Sequence, residues 1–481
     1  MYYTSRSRIE QRQQCPRKRW LGSEYEQRGL ESVRLSLPLA TGSAIHRGVE
    51  VLLKIDQVGL PLAEVLRGYE GESPVVSEGL EPIDIAVAAA LAEFNQAYST
   101  HEVDATVNES TQFIHDEHAA LIEGLLRLWA EHPDGLPWLL SQYEVLEVER
   151  WDFKTLVEGR ICEHCVGGYL DNTLDAYGDK IKCGACIGVG SFGGITLRSR
   201  ADALLRKRSD GGLYVWSLKT ANSWDKRRDD SGRHDVQGIS EMVCIEERLS
   251  AEWAQQSQLG DVPQPRIDGT QMTYLLKGRR ELDENLNVYR IKTALLHPWC
   301  IDAGLLGEKA YAHTYWYNCE LPHDTGRTLK SGKAVLCEGG KRHNIGTSWS
   351  QCNVWQDMSM KEWVALLLSG QVQPELPMPT LIINPEPYFR NSLEVSDWLE
   401  QVTAQEQLIQ VGLAAVGEAE NEDQQRSALN KFFPQYRKSC DHDFGGVCKF
   451  VDMCFGPSAV ADDPVGSGLY KLRERVDHDV E

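Results

Sequence analysis

The chain has 481 residues, 42% of them hydrophobic and 25% charged, which is ordinary for a globular protein and enough for two or three domains. No apolar run reaches the length of a membrane span, and the opening MYYTSRSRIEQRQQ is too polar for a secretory signal, so a cytoplasmic protein with no membrane partner is expected. A net charge of −21 argues at first against a nucleic-acid partner, since lysine and arginine drive phosphate binding.

In chain order, a short helix is expected to end at QCPRKRW, where Pro16 breaks the pattern. TGSAIHRGVEVLLK (41–54) reads as an amphipathic helix with Ile45, Val49, Leu52 and Leu53 on one side, and further helices are expected near 83–98 and 117–131. YEVLEVERWDF (143–153) reads as a strand. After a Gly- and Cys-rich interruption at 158–194, ITLRSRADALLR (195–206) and GLYVWSLKT (212–220) read as two strands of a hairpin turned by KRSDGG. A helix over 234–249, a strand over 269–281 and a helix over 393–410 follow. Periodicity is weak from 282 to 392, and the tail after Pro457 is expected to be poorly ordered.

Thirteen cysteines in a reducing compartment point to metal ligands before disulfides. Cys162 and Cys165 precede Cys183 and Cys186, with seventeen residues between the pairs. Two such knuckles complete a tetrahedral four-thiolate zinc site, and Gly184 and Gly188 supply the backbone freedom they need. With no open coordination position, the zinc is structural. A second group, Cys440, Cys448 and Cys454, lacks one ligand for a closed site, and Cys15 is a candidate to supply it. Cys244, Cys300, Cys319, Cys337 and Cys352 show no partner spacing.

Taken together and in order, a cysteine before Pro16, the Gly42-x-x-x-His46 helix, the Arg200-x-Asp202 strand, the Ser217-Leu218-Lys219-Thr220 strand, a helix carrying Gln237 and a three-cysteine C-terminus form a recognisable series. The series resembles the PD-(D/E)XK nucleases of the RecB-like branch that carry an iron–sulfur cluster, which includes the AddB nuclease domain, CRISPR-associated four-cysteine exonucleases and phage-type relatives. The resemblance covers residues 1–56, 143–156, 195–277 and 430–456. It implies an α/β fold: a restriction-endonuclease-like core of mixed central sheet flanked by helices, with the zinc ribbon inserted and an iron–sulfur domain joining the two termini. The expected division is 1–36 (iron–sulfur, N-terminal part), 37–157 (helices and the first core strand), 158–194 (ribbon), 195–281 (nuclease core), 282–429 (accessory), 430–456 (iron–sulfur, C-terminal part) and 457–481 (tail).

The resemblance also implies roles. Cys15, Cys440, Cys448 and Cys454 would ligate a [4Fe–4S] cluster. His46 and Asp202 would bind Mg²⁺ or Mn²⁺, with Gly42 letting the helix pack closely. Lys219 would orient the attacking water and stabilise phosphate charge, Gln237 would support that lysine, and Arg200 would meet DNA. The ordinary readings are a core histidine, a turn-capping aspartate and a strand-end lysine. Although the chain is acidic overall, residues 198–234 carry ten Lys/Arg against five Asp, and Lys226, Arg227 and Arg228 lie in that stretch as candidate DNA contacts. The implied activity is metal-dependent hydrolysis of DNA phosphodiesters, by an exonuclease or end-processing enzyme on single strands. Its setting would be phage recombination, defence or CRISPR adaptation, with a separate helicase, recombinase or adaptation protein as partner. The alternative is a catalytically inactive DNA- or partner-binding subunit.

One position departs from the pattern. Ser217 stands where a second carboxylate belongs, and a neutral hydroxyl cannot neutralise a cation's charge. Glu241, one helical turn after Gln237, is the leading replacement, Asp235 the second and Glu149 the third. TGRTLKSGKAV (325–335) has the wrong glycine spacing for a phosphate loop, and Ala334 replaces its Ser/Thr, so no motor is expected in this chain.

Overall fold

The computed structural model describes residues 2–56, 81–103, 111–161, 169–174, 180–182, 191–192, 194–222, 235–256, 265–277, 381–437 and 448–473, single residues 224, 229, 232 and 440, and short pieces between 279 and 374. The elements that build the site are β1 (Tyr2–Ser5), α1 (Arg6–Gln14), α2 (Leu37–Asp56), α3 (Pro82–Thr100), α4 (Thr111–Glu131), β2 (Tyr143–Val148), β3 (Trp151–Val157), β4 (Ile195–Arg200), β5 (Ala203–Lys207), β6 (Leu213–Ala221), α5 (Val236–Gln256), β7 (Ile267–Leu276), β8 (Ile382–Ile383), β9 (Tyr388–Phe389), α6 (Ser392–Gly417) and α7 (Glu422–Phe432).

The fold is mixed α/β. A six-stranded sheet runs β8-β7-β6-β5-β2, with β9 also on β7, and a three-stranded sheet runs β1-β4-β3. β6 and β7 are parallel, from Tyr214 opposite Gly269 to Ala221 opposite Leu276, and the other pairs of the large sheet are antiparallel. Parallel neighbours need a crossover, and α5 supplies it. β7 is buried at nine of its ten positions and β6 at six of nine, as expected when helices cover both faces of a sheet. One face packs Trp216 and Leu218 against α2, α3 and α4, where Ile45, Val49, Leu52 and Leu53 are all buried as the helical period predicts. The other face packs Val215 against Met242 and Ile245 of α5.

The two strands expected over 143–153 and 195–206 are each broken. β2 and β5 pair in the large sheet, whereas β3 and β4 pair in the small one. The breaks fall at Glu149–Arg150 and Ala201–Asp202, opposite one another, and the Glu149 N–H bonds the Asp202 carbonyl at 3.1 Å. Glu149 takes φ 53°, a left-handed conformation that costs a non-glycine residue about 1 kcal/mol or more and turns the strand sharply. Strand alternation hides such a corner, since both halves still read as strand.

The N-terminus also differs from expectation. A strand, β1, precedes the helix, pairing in parallel with β4, and Pro16 opens a second helical turn, Pro16–Arg19, at the position where its missing N–H costs nothing. Arg19 at the end of that turn is wholly buried, with Nε 2.7 Å from Glu24 Oε1 and Nη2 bonding the Tyr2 hydroxyl (2.6 Å) and Glu406 of α6 (3.2 Å). These bonds tie β1 to α6 across most of the chain. Arg19→Ala would leave Glu24 and Glu406 buried without their cation, and a loss of about 3–5 kcal/mol is expected, read as a lower denaturant midpoint.

The tail is more ordered than expected as far as Arg473. Ser458–Asp462 is helical, and Tyr470–Leu472 pairs with Leu30–Ser32. Tyr470 stacks on Phe450 with ring centroids 5.8 Å apart and bonds the Lys449 carbonyl, an anchor that composition alone does not show. Residues 474–481 lie outside the described set. Among the described residues no helix is long and apolar enough to cross a membrane.

Candidate active site

A cleft of about 950 Å³ opens between α2 and the corner where the two sheets meet. Its walls carry His46, Glu50, Glu149 and Asp202, and the cations Arg6, Arg47, Arg200, Lys219 and Lys277. With Glu93, which also lines it, four carboxylates face these five cations, so the chain's acidic excess is offset in the cleft.

Each side chain is placed by its element. His46 faces the cleft because Ile45 and Val49, on the adjoining face of α2, are drawn into the core. Gly42, one turn earlier, lies against Thr220 of β6, where a Cβ would come within 3.0 Å of the Thr220 hydroxyl. Glu149 and Asp202 meet because both occupy strand corners. His46 Nδ1 lies 3.3 Å from Asp202 Oδ1, and Asp202 Oδ2 accepts the Leu218 N–H at 2.6 Å. Arg200 Nε sits 2.7 Å from Glu149 Oε2. Among the described residues, His46, Glu149 and Asp202 alone bring three potential metal-ligand atoms within 4.8 Å of one another.

The electrostatics of this group are strained in the way a cation would relieve. Burial and then the Asp202 charge push the Glu149 carboxyl up to about 8. Asp202 goes the other way despite its burial, held low by His46 and by the Leu218 N–H. His46 is raised, the attraction of Asp202 outweighing burial.

Lys219 lines the same cleft. Its ammonium donates to Gln237 Oε1, which also accepts from Arg6, and lies 3.7 Å from Asp235 Oδ2. Gln237 continues inward, its Nε2 donating to Ser217 Oγ at 3.1 Å, and Ser217 in turn donates to Glu241 Oε2 at 3.0 Å. Ser217 is fully buried, and Glu241 is only 2% exposed. Burial and then the Asp202 charge raise Glu241 well above the ordinary carboxylate range, which favours its neutral form.

The structure therefore places the three replacement candidates in different surroundings. Glu241 sits behind the cleft wall as the end of a hydrogen-bond chain, Asp235 pairs with Lys219, and Glu149 stands with His46 and Asp202. Helix spacing favoured Glu241 because it lies one turn from Gln237, and the strand corner at Glu149 is what spacing could not reveal. Arg6 and Lys277 were not singled out from sequence. Arg6 follows an unforeseen strand, and Lys277 is fixed at the end of β7 by the Pro38 carbonyl at 2.9 Å.

The sequence matches no protein-family model and no curated protein.

The second expected site also gathers. None of Cys15, Cys440, Cys448 and Cys454 forms a disulfide among the described residues. Burial raises Cys454 to about 11, Arg17 opposes this, and Cys448, Cys15 and Cys440 add to it, so the other three thiols sit within electrostatic reach of Cys454. Cys440, Cys448 and Cys454 pack with Leu21, Leu30, Phe450 and Tyr470. Cys15 Sγ accepts the Tyr436 N–H at 3.4 Å. Among the described residues, no three of these thiols come within 4.8 Å of one another.

Cys162, Cys165, Cys183 and Cys186 lie outside the described residues, as do Lys226, Arg227 and Arg228. The ends of the insert are described: Arg160–Ile161 pairs with Ser191–Phe192, and Tyr169–Leu174 pairs with Lys180–Lys182 between them.

Proposed function

We propose that this chain is a divalent-cation-dependent deoxyribonuclease with a PD-(D/E)XK core, acting on single-stranded DNA or DNA ends. The observation that carries the reading is the meeting of His46, Glu149 and Asp202 in one cleft with Lys219. Two carboxylates and an imidazole fit Mn²⁺, and the carboxylates fit Mg²⁺. Such an ion supplies Lewis acidity toward a phosphate oxygen and lowers the pKa of a bound water.

The chain's own residues do the rest. Lys219, steered by Gln237 and Asp235, presents a positive charge to the phosphate as negative charge develops on it. Arg6 and Arg200 on the cleft wall hold phosphate oxygens and fix the strand's register. Ser217 is not a ligand in this reading. It relays between Gln237 and Glu241 and so keeps the amide oxygen turned toward Lys219.

Cys15, Cys440, Cys448 and Cys454 would hold a [4Fe–4S] cluster that pins the two ends of the chain beside the core. Cys162, Cys165, Cys183 and Cys186 would hold zinc. A separate helicase or recombinase would deliver the strand in the cytoplasm.

The deciding assay is degradation of end-labelled single-stranded DNA in Mn²⁺ and in Mg²⁺ by anaerobically purified protein. Cleavage that needs the cation is expected. Intact DNA of every form in both metals would sink the reading and leave a binding subunit. A brown protein carrying about one zinc per chain is the expected preparation. Glu241→Gln should cleave within about threefold of wild type, since an amide still accepts from Ser217. A collapse of activity would return Glu241 to the metal set.

A further inference from the structure

The small sheet β1-β4-β3 packs one face against α5, where Leu197 meets Ile239 and Val243. Among the described residues, no element from outside the sheet packs over the rings on its other face. Strand alternation puts Trp151 and Phe153 of β3, Arg198 and Arg200 of β4, and Tyr3 of β1 on that face, and the register sets Phe153 opposite Arg198 and Trp151 opposite Arg200. Trp151 and Phe153 are 46% and 47% exposed, unusual for two large rings side by side. The Arg198 and Arg200 guanidiniums lie over the Trp151 ring, 5.2 and 5.0 Å from its centroid, and Tyr3 meets Phe153 edge-on at 6.3 Å.

Two further facts say what this face is for. It is continuous with the cleft, because Arg200 both touches Trp151 and lines the cleft, where it pairs with Glu149. It also carries unspent positive charge: Arg198 has no carboxylate partner among the described residues, and its pKa is lowered by burial and by neighbouring Arg8. An apolar protein partner would not call for a guanidinium stacked on a ring without a counter-ion, as Arg198 is. A strand of unpaired bases does, since rings accept bases and arginines accept phosphates.

We propose that this face is a stacking track for single-stranded DNA, on which bases rest as the strand passes to or from the cleft. Trp151 and Phe153 stand about 7 Å apart along β3, roughly twice the rise of a stacked strand, which leaves room for a base between the rings. Duplex DNA has no free base faces to offer and is not held there. The proposal rests on the nuclease reading for what happens in the cleft, while its test does not need cleavage.

The experiment uses full-length protein in EDTA and measures anisotropy of a labelled oligothymidylate long enough to extend beyond the cleft. In parallel, Mn²⁺-dependent hydrolysis of bis(p-nitrophenyl) phosphate, which reaches only the cleft, reports the chemistry. Trp151→Ala with Phe153→Ala should weaken oligothymidylate binding by roughly tenfold or more and leave hydrolysis of the small diester unchanged. Trp151→Phe should retain most of the affinity. Arg198→Gln, which removes no ring, should lower the slope of log affinity against log salt by about 0.7. Wild-type affinity in the double alanine variant overturns the track, as does an equal loss on duplex of the same sequence. If binding is lost as expected but no protein hydrolyses the diester, the track stands and the nuclease reading falls. If wild type hydrolyses the diester without binding the oligonucleotide, the track falls and the nuclease reading stands.

Discussion

Asp202→Asn is expected to abolish cation binding and cleavage while leaving the fold intact. Asp202 spends Oδ2 on the Leu218 N–H and turns Oδ1 toward His46. The amide of Asn keeps the first bond by presenting its oxygen to Leu218, and then presents N–H₂ where the cation's ligand should be. A unit charge at 4 Å is worth about 4 kcal/mol at an effective dielectric of 20, so removing it from a doubly charged ion costs at least roughly a thousandfold in affinity. Without the cation the substitution relieves strain, since Asp202 is one of the two main causes of the raised Glu149 pKa. Mn²⁺ titration by calorimetry, with thermal unfolding as the control, checks both halves. Tight Mn²⁺ binding by the variant would remove Asp202 from the ligand set.

The same group sets a pH dependence. Glu149, raised to about 8, must be ionised to serve as a ligand. Above that pH the affinity should be flat. Below it each bound cation displaces a proton, so affinity falls about tenfold per unit, and more steeply once His46, also raised, is protonated. Calorimetry in two buffers of different ionisation enthalpy reads the proton released. A pH-independent affinity from 6 to about 8 would contradict this origin.

Much of this arrangement was legible in the residues. The period of 41–54 gave the buried face of α2, and 212–220 and 269–281 read as the strands on either side of the α5 helix. Corners and distant closures were not legible. Glu149 and Asp202 meet because two strands break at matching points, and nothing in their alternation marks the break. Arg6 enters because YYTS forms a strand only once β4 offers an edge. The tail is held to Arg473 by the pairing of Tyr470–Leu472 with Leu30–Ser32 and by Tyr470 on Phe450, contacts between segments that have no local signal in common. Ser217 is explained by its surroundings as well. A carboxylate there would lie buried beside Glu241, itself pushed toward neutrality, and two such acids would not share that space ionised. With Glu149 at the corner, the second acid reaches the site from another strand.

Lys219 should separate chemistry from binding. Lys219→Ala is expected to lower the cleavage rate by about a hundred- to a thousandfold, the usual cost of losing one charge-stabilising donor. Mn²⁺ affinity should hold or rise slightly, because a cation leaves the neighbourhood of the ion. Gln237 is the positioning residue. Its Oε1 takes bonds from both Lys219 and Arg6, and its Nε2 is fixed by Ser217, so the amide cannot flip without breaking the chain to Glu241. Gln237→Ala should therefore cost less than Lys219→Ala, roughly ten- to a hundredfold, and act through the lysine. If so, the double variant is no slower than Lys219→Ala alone, and the cycle returns a coupling equal to the whole effect of Gln237. Additive losses would mean that Gln237 touches the substrate itself. An unchanged rate in Lys219→Ala, with Mn²⁺ bound, would remove the lysine from the chemistry altogether.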